Sequence, residues 1–184
     1  ENRSTANAVF TNCIITGNKG GGFFNKASYS GTASPIFTNC TISGNGNAAI
    51  SIDVPSGNIG HYTLVNSIIW NHEWGSIVNS RVTDDNTINY SHSIIQSSFN
   101  WNRASINLED YGTDGGGNID GPPWFVGIIH PDDSPTSAGD FHLMQGSPGI
   151  NAGNNDAEYL TDKDLDGEER IQGIAVDMGA YEGE

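Results

Sequence analysis

The chain has 184 residues, 24 of them glycine and 35% hydrophobic, and its 22 acidic side chains outnumber 7 basic ones for a formal net charge of −15. Phosphates and anionic lipid headgroups are held by clustered Lys and Arg, so this balance excludes nucleic acid and acidic membrane surfaces as partners. No apolar run is long enough to span a bilayer and Glu1 belongs to no signal peptide, so no membrane insertion is expected from this segment.

The first clear pattern is Val9 to Asn18, VFTNCIITGN, which returns at Ile36 to Asn45 as IFTNCTISGN. Looser copies are Thr63 to Asn71, TLVNSIIWN, and Asn89 to Gln96, NYSHSIIQ. Aligning Cys13, Cys40, Ser67 and Ser93 gives steps of 27, 27 and 26 residues, a period that marks a solenoid. The copies are short and rich in Thr, Ser, Ile and Phe, which suits strands rather than helix pairs.

Two apolar columns define each copy: Phe10, Phe37, Leu64, Tyr90 and Ile15, Ile42, Ile69, Ile95. They stand an odd number of residues apart, so one straight strand would point them to opposite faces. If both are core, the chain bends between them, and the Asn12, Asn39, Asn66 column, continued by His92, is the natural site because Asn readily adopts the left-handed conformation. Strand, corner and strand repeated every turn predict an all-β, right-handed parallel β-helix of four to five coils with about 27 residues per coil. Stacked Asn amides form ladders along such an axis, and Asn18, Asn45 and Asn71 offer a second one.

Between the copies, Gly20 to Gly22, then Asn47, Ala48 and Ala49, then Gly75 and Ser76 each precede an apolar residue. These small residues predict a tight corner feeding a third strand with Phe23, Ile50 and Ile77 inside. Phe10 already sits in a full repeat, so a further chain segment or another protein is expected to cover the first coil. Cys13 and Cys40 fall in register on adjacent coils, and side chains stacked in this way favour two free thiols over a disulfide.

The period lapses after Gln96, which divides the chain into coils over residues 1–108 and a last coil with an irregular cap over residues 109–184. The ending carries Gly117-Asn118-Ile119-Asp120 with Phe125, Asp140-Phe141-His142-Leu143, Gly146-Ser147-Pro148 with Ile150 and Gly153, Asp164-Leu165-Asp166-Gly167 with Arg170, and Val176 to Glu182, VDMGAYE. This series resembles the choice-of-anchor Q domain found at the C-terminal end of bacterial surface and secreted β-helix proteins. The repeats before it look like the pectate-lyase-like β-helix superfamily. The resemblance implies a right-handed helix and a secreted or bacterial cell-surface location, and it implies no activity.

Asp162, Asp164 and Asp166, followed by Gly167, have a spacing that lets carboxylates converge on calcium, with Glu168 available to close the shell. The alternative is an acidic turn in which Asp166 or Asp177 pairs with Arg170. Trp70, Trp74, Tyr29, Tyr62 and Trp101 are the candidate ligand-binding aromatics, because exposed rings stack on sugars or anchor protein interfaces. Trp124, between Pro123 and Phe125, reads as core. A lyase would need clustered bases and a glycosidase two facing carboxylates, and of the bases only Lys26 and Arg81 could approach one another. The outward column Thr16, Ser43, Trp70, Gln96 is no threonine ladder of the kind that binds ice. These readings favour a structural or adhesive module binding a glycan or a surface protein through loops. The C-terminal part of a polysaccharide lyase or hydrolase and a subunit of an extracellular filament are the alternatives.

Overall fold

The computed structural model describes residues 5–26, 31–54, 60–79, 86–96 and 112–183. The chain is a right-handed parallel β-helix built on three ladders of short strands, with a further parallel pair between Thr5–Ala6 and Thr32–Ala33. The first sheet contains Val9–Thr11, Ile36–Thr38, Gly60–Val65, Asn86–Ser91 and Gly112–Asp114 in spatial order. The second contains Ile14–Thr16, Thr41–Ser43, Ile68–Trp70 and Ile94–Ile95, and a bridge from Ile94 to Ile119 carries it one coil further. The third contains Phe23–Lys26, Ile50–Asp53 and Ile77–Asn79.

The register is the one the apolar columns require. Phe10 pairs with Phe37, Phe37 with Leu64 and Leu64 with Tyr90, while Ile15, Ile42, Ile69 and Ile95 pair in turn along the second sheet. Phe37, Ile42, Ile50, Leu64 and Ile69 are at most 1% exposed, and each such burial contributes roughly 1.5–3 kcal/mol. Phe10 stacks on Phe37 at 4.9 Å, and Phe23 meets both rings edge-on. The first coil's own inward residues, Phe10, Cys13, Ile15 and Phe23, are only half-buried.

Asn12, Asn39, Asn66 and His92 turn the corner between the first two sheets with φ of +49°, +51°, +51° and +46°. One residue on, the Cys13, Cys40, Ser67, Ser93 column ties coil to coil. The Cys40 amide donates to Ser67 Oγ and the Ser67 amide to Ser93 Oγ, both at 3.1 Å. The Ser93 amide continues the series to Asn118 Oδ1 at 3.0 Å.

The second ladder differs from the expected one by a single residue. Asn18 Nδ2 donates to Asn45 Oδ1 at 2.9 Å, but the next rung is His72, whose Nδ1 accepts the Asn45 amide at 3.4 Å. His72 Nε2 meets the Ile42 carbonyl as Asn45 Nδ2 meets Ile15, and burial depresses its pKa to about 4, which keeps the ring neutral. Asn71 instead takes the left-handed position that Gly17 and Gly44 hold, with φ of +59° against +61° and +65°.

Where the sequence suggests an end cap, residues 125–182 lie along the flank of the solenoid. Phe125–Gly127 and Asp140–Leu143 form an antiparallel hairpin whose link reaches coil one and coil two. The Thr136 amide donates to the Gly17 carbonyl at 3.0 Å and Ser134 Oγ to the Gly44 carbonyl at 3.0 Å. A Cβ at Gly17 would stand 1.8 Å from Thr136 O, so this contact needs glycine for space as well as for φ.

Further on, the chain runs back along the asparagine corner. Asn66 Nδ2 donates to Asn154 O at 3.0 Å, Asn39 Nδ2 to Asp177 O at 3.0 Å, and Asn12 Nδ2 to Lys163 O at 2.6 Å. The second sheet is therefore apolar on both sides. Its inner residues Ile42, Ile69 and Ile95 belong to the solenoid core. Its outer residues Ile68 and Ile94, with Ile14 and Trp70 at the margin, pack against Phe125, Ile129, Phe141, Leu143 and Met178.

Candidate ligand-binding face

The third sheet alternates as a half-buried sheet must. Phe23 and Ile50 point into the core, so Phe24 and Ser51, which are register partners, point out. Trp74 lies in the corner before the third strand, in the column of Gly20 and Asn47. Together Gly21, Phe23, Phe24, Asn47, Ser51, Ile52 and Trp74 line an open cleft of about 440 Å³. Phe24 is 63% exposed and Trp74 41% exposed. Ala48 O would lie 2.7 Å from a Cβ at Gly21, so glycine is required there by close approach of the next coil and leaves the cleft floor bare. The outward row ends in an ion pair, Lys26 Nζ to Asp53 Oδ2 at 3.9 Å.

Of the aromatics picked from the sequence, Trp74 alone of those described lines this cleft. Trp70 points outward from its sheet, as expected, but packs at the edge of the flank core and is half-buried. Tyr62 is a correction: it is 1% exposed inside the solenoid. The strand Gly60–Val65 begins earlier than the repeat suggests, and two residues before inward Leu64 is again an inward position. Its hydroxyl accepts Asn25 Nδ2 at 2.5 Å, and burial raises its pKa to about 12. Tyr29 and Trp101 lie outside the described residues, as does Arg81. Trp124 also departs from expectation, being 48% exposed at φ +53°. Phe24, the other exposed ring of the cleft, is signalled in the sequence only by its place after inward Phe23.

The acidic turn is drawn together by backbone amides. Asp164 is 7% exposed; its Oδ1 accepts the Asp166 and Glu168 amides, each at 2.9 Å, and its Oδ2 accepts the Glu182 amide at 2.9 Å. Asp166 Oδ2 instead meets His142 Nε2 at 2.9 Å, while His142 Nδ1 meets Asp140 Oδ1 at 2.6 Å and the ring stacks on Tyr181. Burial alone would lower the His142 pKa, but the two carboxylates outweigh it and raise the value. Asp162 and Glu168 are exposed, and Asp162 contributes its carbonyl to the Arg170 amide. Among the described residues no three His, Cys, Asp or Glu side chains converge as a metal site.

Arg170, at 1% exposure, donates to the carbonyls of Gly179 and Ala180, and its carboxylate partner is Glu182 at 3.6 Å rather than Asp166 or Asp177. Asp177, also 1% exposed, accepts the Asn151 and Gly183 amides through its two oxygens. Burial, reinforced by Asp177, raises the Glu182 pKa to about 8. These groups lock the chain end onto the flank. Cys13 and Cys40 are free thiols; the hydrogen bond from Cys40 lowers the Cys13 pKa to about 6, while the same contact and burial push Cys40 up.

No family model, curated protein or solved structure matches the chain.

Proposed function

We propose that this chain is a non-catalytic, secreted or cell-surface β-helix module that binds a glycan through the cleft on its third sheet. The carrying observation is the pairing of two exposed rings, Phe24 and Trp74, with the polar side chains of Asn47 and Ser51 in one open cleft. Aromatic faces stack on the apolar faces of sugar rings while amide and hydroxyl groups meet their hydroxyls. Among the described residues, the cleft lining carries aromatic, amide and hydroxyl groups and no acid or base. The extracellular location rests on the likeness of the ending to the choice-of-anchor Q domain.

A second reading, a subunit of a filament or surface complex, is favoured by one feature. The strands and half-buried apolar residues of the first coil present a parallel edge to which another coil can add. Incubation with a panel of neutral and acidic polysaccharides, followed by size exclusion, tests the proposal. Intact chains that co-elute with the protein support it, and shortened chains overturn the non-catalytic reading. Intact chains that elute alone, with a protein concentration-dependent increase in its own size, favour the assembly subunit.

A further inference from the structure

The first coil ends the first two sheets of the solenoid, and one of the residues it turns toward the core is a cysteine. We propose that Cys13 and Cys40 form an inter-coil thiol pair that closes to a disulfide by exchange with a small disulfide such as oxidised glutathione, clamping coil one to coil two. Register carries the geometry. Thr11 pairs with Thr38 and Ile14 with Thr41, so the two cysteines stand side by side on adjacent coils. Paired parallel strands lie about 4.8 Å apart, within the Cα spacing that a disulfide spans. Side chains of this column lean toward the preceding coil: Ser67 Oγ meets the Phe37 carbonyl at 3.4 Å, and Cys40 Sγ meets the Phe10 carbonyl of coil one at 3.4 Å. The two thiols are themselves in hydrogen-bond contact. Ser67 and Ser93 continue the column and accept the same backbone amides, but they cannot cross-link.

The pair is asymmetric in the way that exchange requires. Cys13 is half-buried, and Cys40 is fully buried beside it. Contact with Cys40 holds the Cys13 thiol at about 6, so at neutral pH Cys13 is largely the nucleophilic thiolate while Cys40 keeps its proton. The Cys13 sulfur attacks one sulfur of the small disulfide, forms a mixed disulfide and expels a first thiolate, which takes a proton from water. Cys40 then gives its proton to solvent, its sulfur attacks that of Cys13, and the second small thiolate leaves. Two protein thiols are thereby oxidised to one disulfide, and the small disulfide is reduced to two thiols. The bond closes a 27-residue step of the chain, which removes conformations from the unfolded state.

The test is incubation of the whole chain with oxidised glutathione, then iodoacetamide and peptide mass mapping, on the native protein, Cys13→Ser and Cys40→Ser. Serine already fills this column at Ser67 and Ser93, so both variants suit the fold. The native chain is expected to lose both thiols and two hydrogens in mass without retaining glutathione. It should then melt roughly 5–10 °C higher than the reduced chain, a gain that a dithiol reductant reverses. Cys40→Ser is expected to hold one glutathione on Cys13, and Cys13→Ser to react about tenfold more slowly or not at all. A native chain that keeps both thiols, retains glutathione on Cys13 or links only to a second copy would overturn the pair. Cys13→Ser reacting as fast as Cys40→Ser would overturn the order of attack, and an oxidised chain that melts no higher would overturn the clamp.

Discussion

Replacing Asn39 separates the two roles of the corner column. Asn39 is 1% exposed at φ +51°, donates to Asp177 O at 3.0 Å and accepts Asn66 Nδ2 at 3.3 Å. Asn39→Ala places a Cβ-bearing residue in the left-handed region without a local polar group, at about 1–2 kcal/mol. It also leaves the Asp177 carbonyl and the Asn66 amide short of a partner in the interior, at roughly 1–3 kcal/mol. The expected loss is about 3 kcal/mol, and a melting-temperature fall of roughly 6–12 °C for a chain of this size. Asn39→Gly loses the same hydrogen bonds but adopts the backbone angle freely, so it should be about 1 kcal/mol less damaging despite its own entropic cost. Urea titrations followed by circular dichroism and by tryptophan emission measure both. Solenoids can unfold in steps, so agreement of the two signals comes first. A glycine variant as unstable as the alanine one would refute the conformational argument. An alanine variant within 1 kcal/mol of the native chain, on the order of the error in such values, would refute the role of Asn39 in holding the flank.

The glycines divide in the same way. Gly17→Ala should be strongly destabilising, because φ is +61° and the new methyl would meet Thr136 O at 1.8 Å, whereas Gly20→Ala has nothing within 4 Å and should be neutral or slightly stabilising; thermal melts of the pair decide this. For Glu182, the folded pKa of about 8 lies above the ordinary 4.5, so the stability linked to its proton is fully present below pH 4.5 and is lost as pH rises through 8. Asp177 is shifted in the same direction by burial. Unfolding free energies from urea titrations should therefore fall between pH 5 and 8 with a slope of up to about 1.4 kcal/mol per pH unit for one group, and Glu182→Gln should flatten that fall. Excess chelator should leave the melting temperature unchanged, since Asp164 and Asp166 are committed to backbone amides and His142; a drop on chelation that calcium reverses would restore a cation to the acidic turn.

Much of the solenoid could be read from residue types alone, because a coil stacked on its copy must repeat its inward residues and its corners. The odd separation of Phe10 and Ile15, with Asn12 between them, specifies a left-handed corner, and Asn39, Asn66 and His92 repeat it. Strict alternation could also have placed Tyr62 inside and Phe24 outside, since each stands beside a residue whose direction the columns define. The ladder rung at His72 was masked by Asn71, which shares the residue type of Asn18 and Asn45 but sits one position early, in the glycine corner.

Other features exist only in three dimensions. The 27-residue period says which residues of the second sheet face inward, but Ile68 and Ile94 gain their partners Phe125, Phe141 and Met178 from a segment with no repeat. Linear spacing in the acidic turn suggested a cation, yet chain reversal delivers the Glu182 amide to Asp164 and His142 to Asp166. Trp74 and Phe24 are far apart in the sequence and line one cleft because the ladder stacks their coils, with Asn47 and Ser51 on the coil between. Local pattern determines the direction of a side chain along its own strand. What that side chain meets depends on segments arriving from elsewhere, whose hydrogen-bonding groups and apolar faces must be satisfied where the fold brings them.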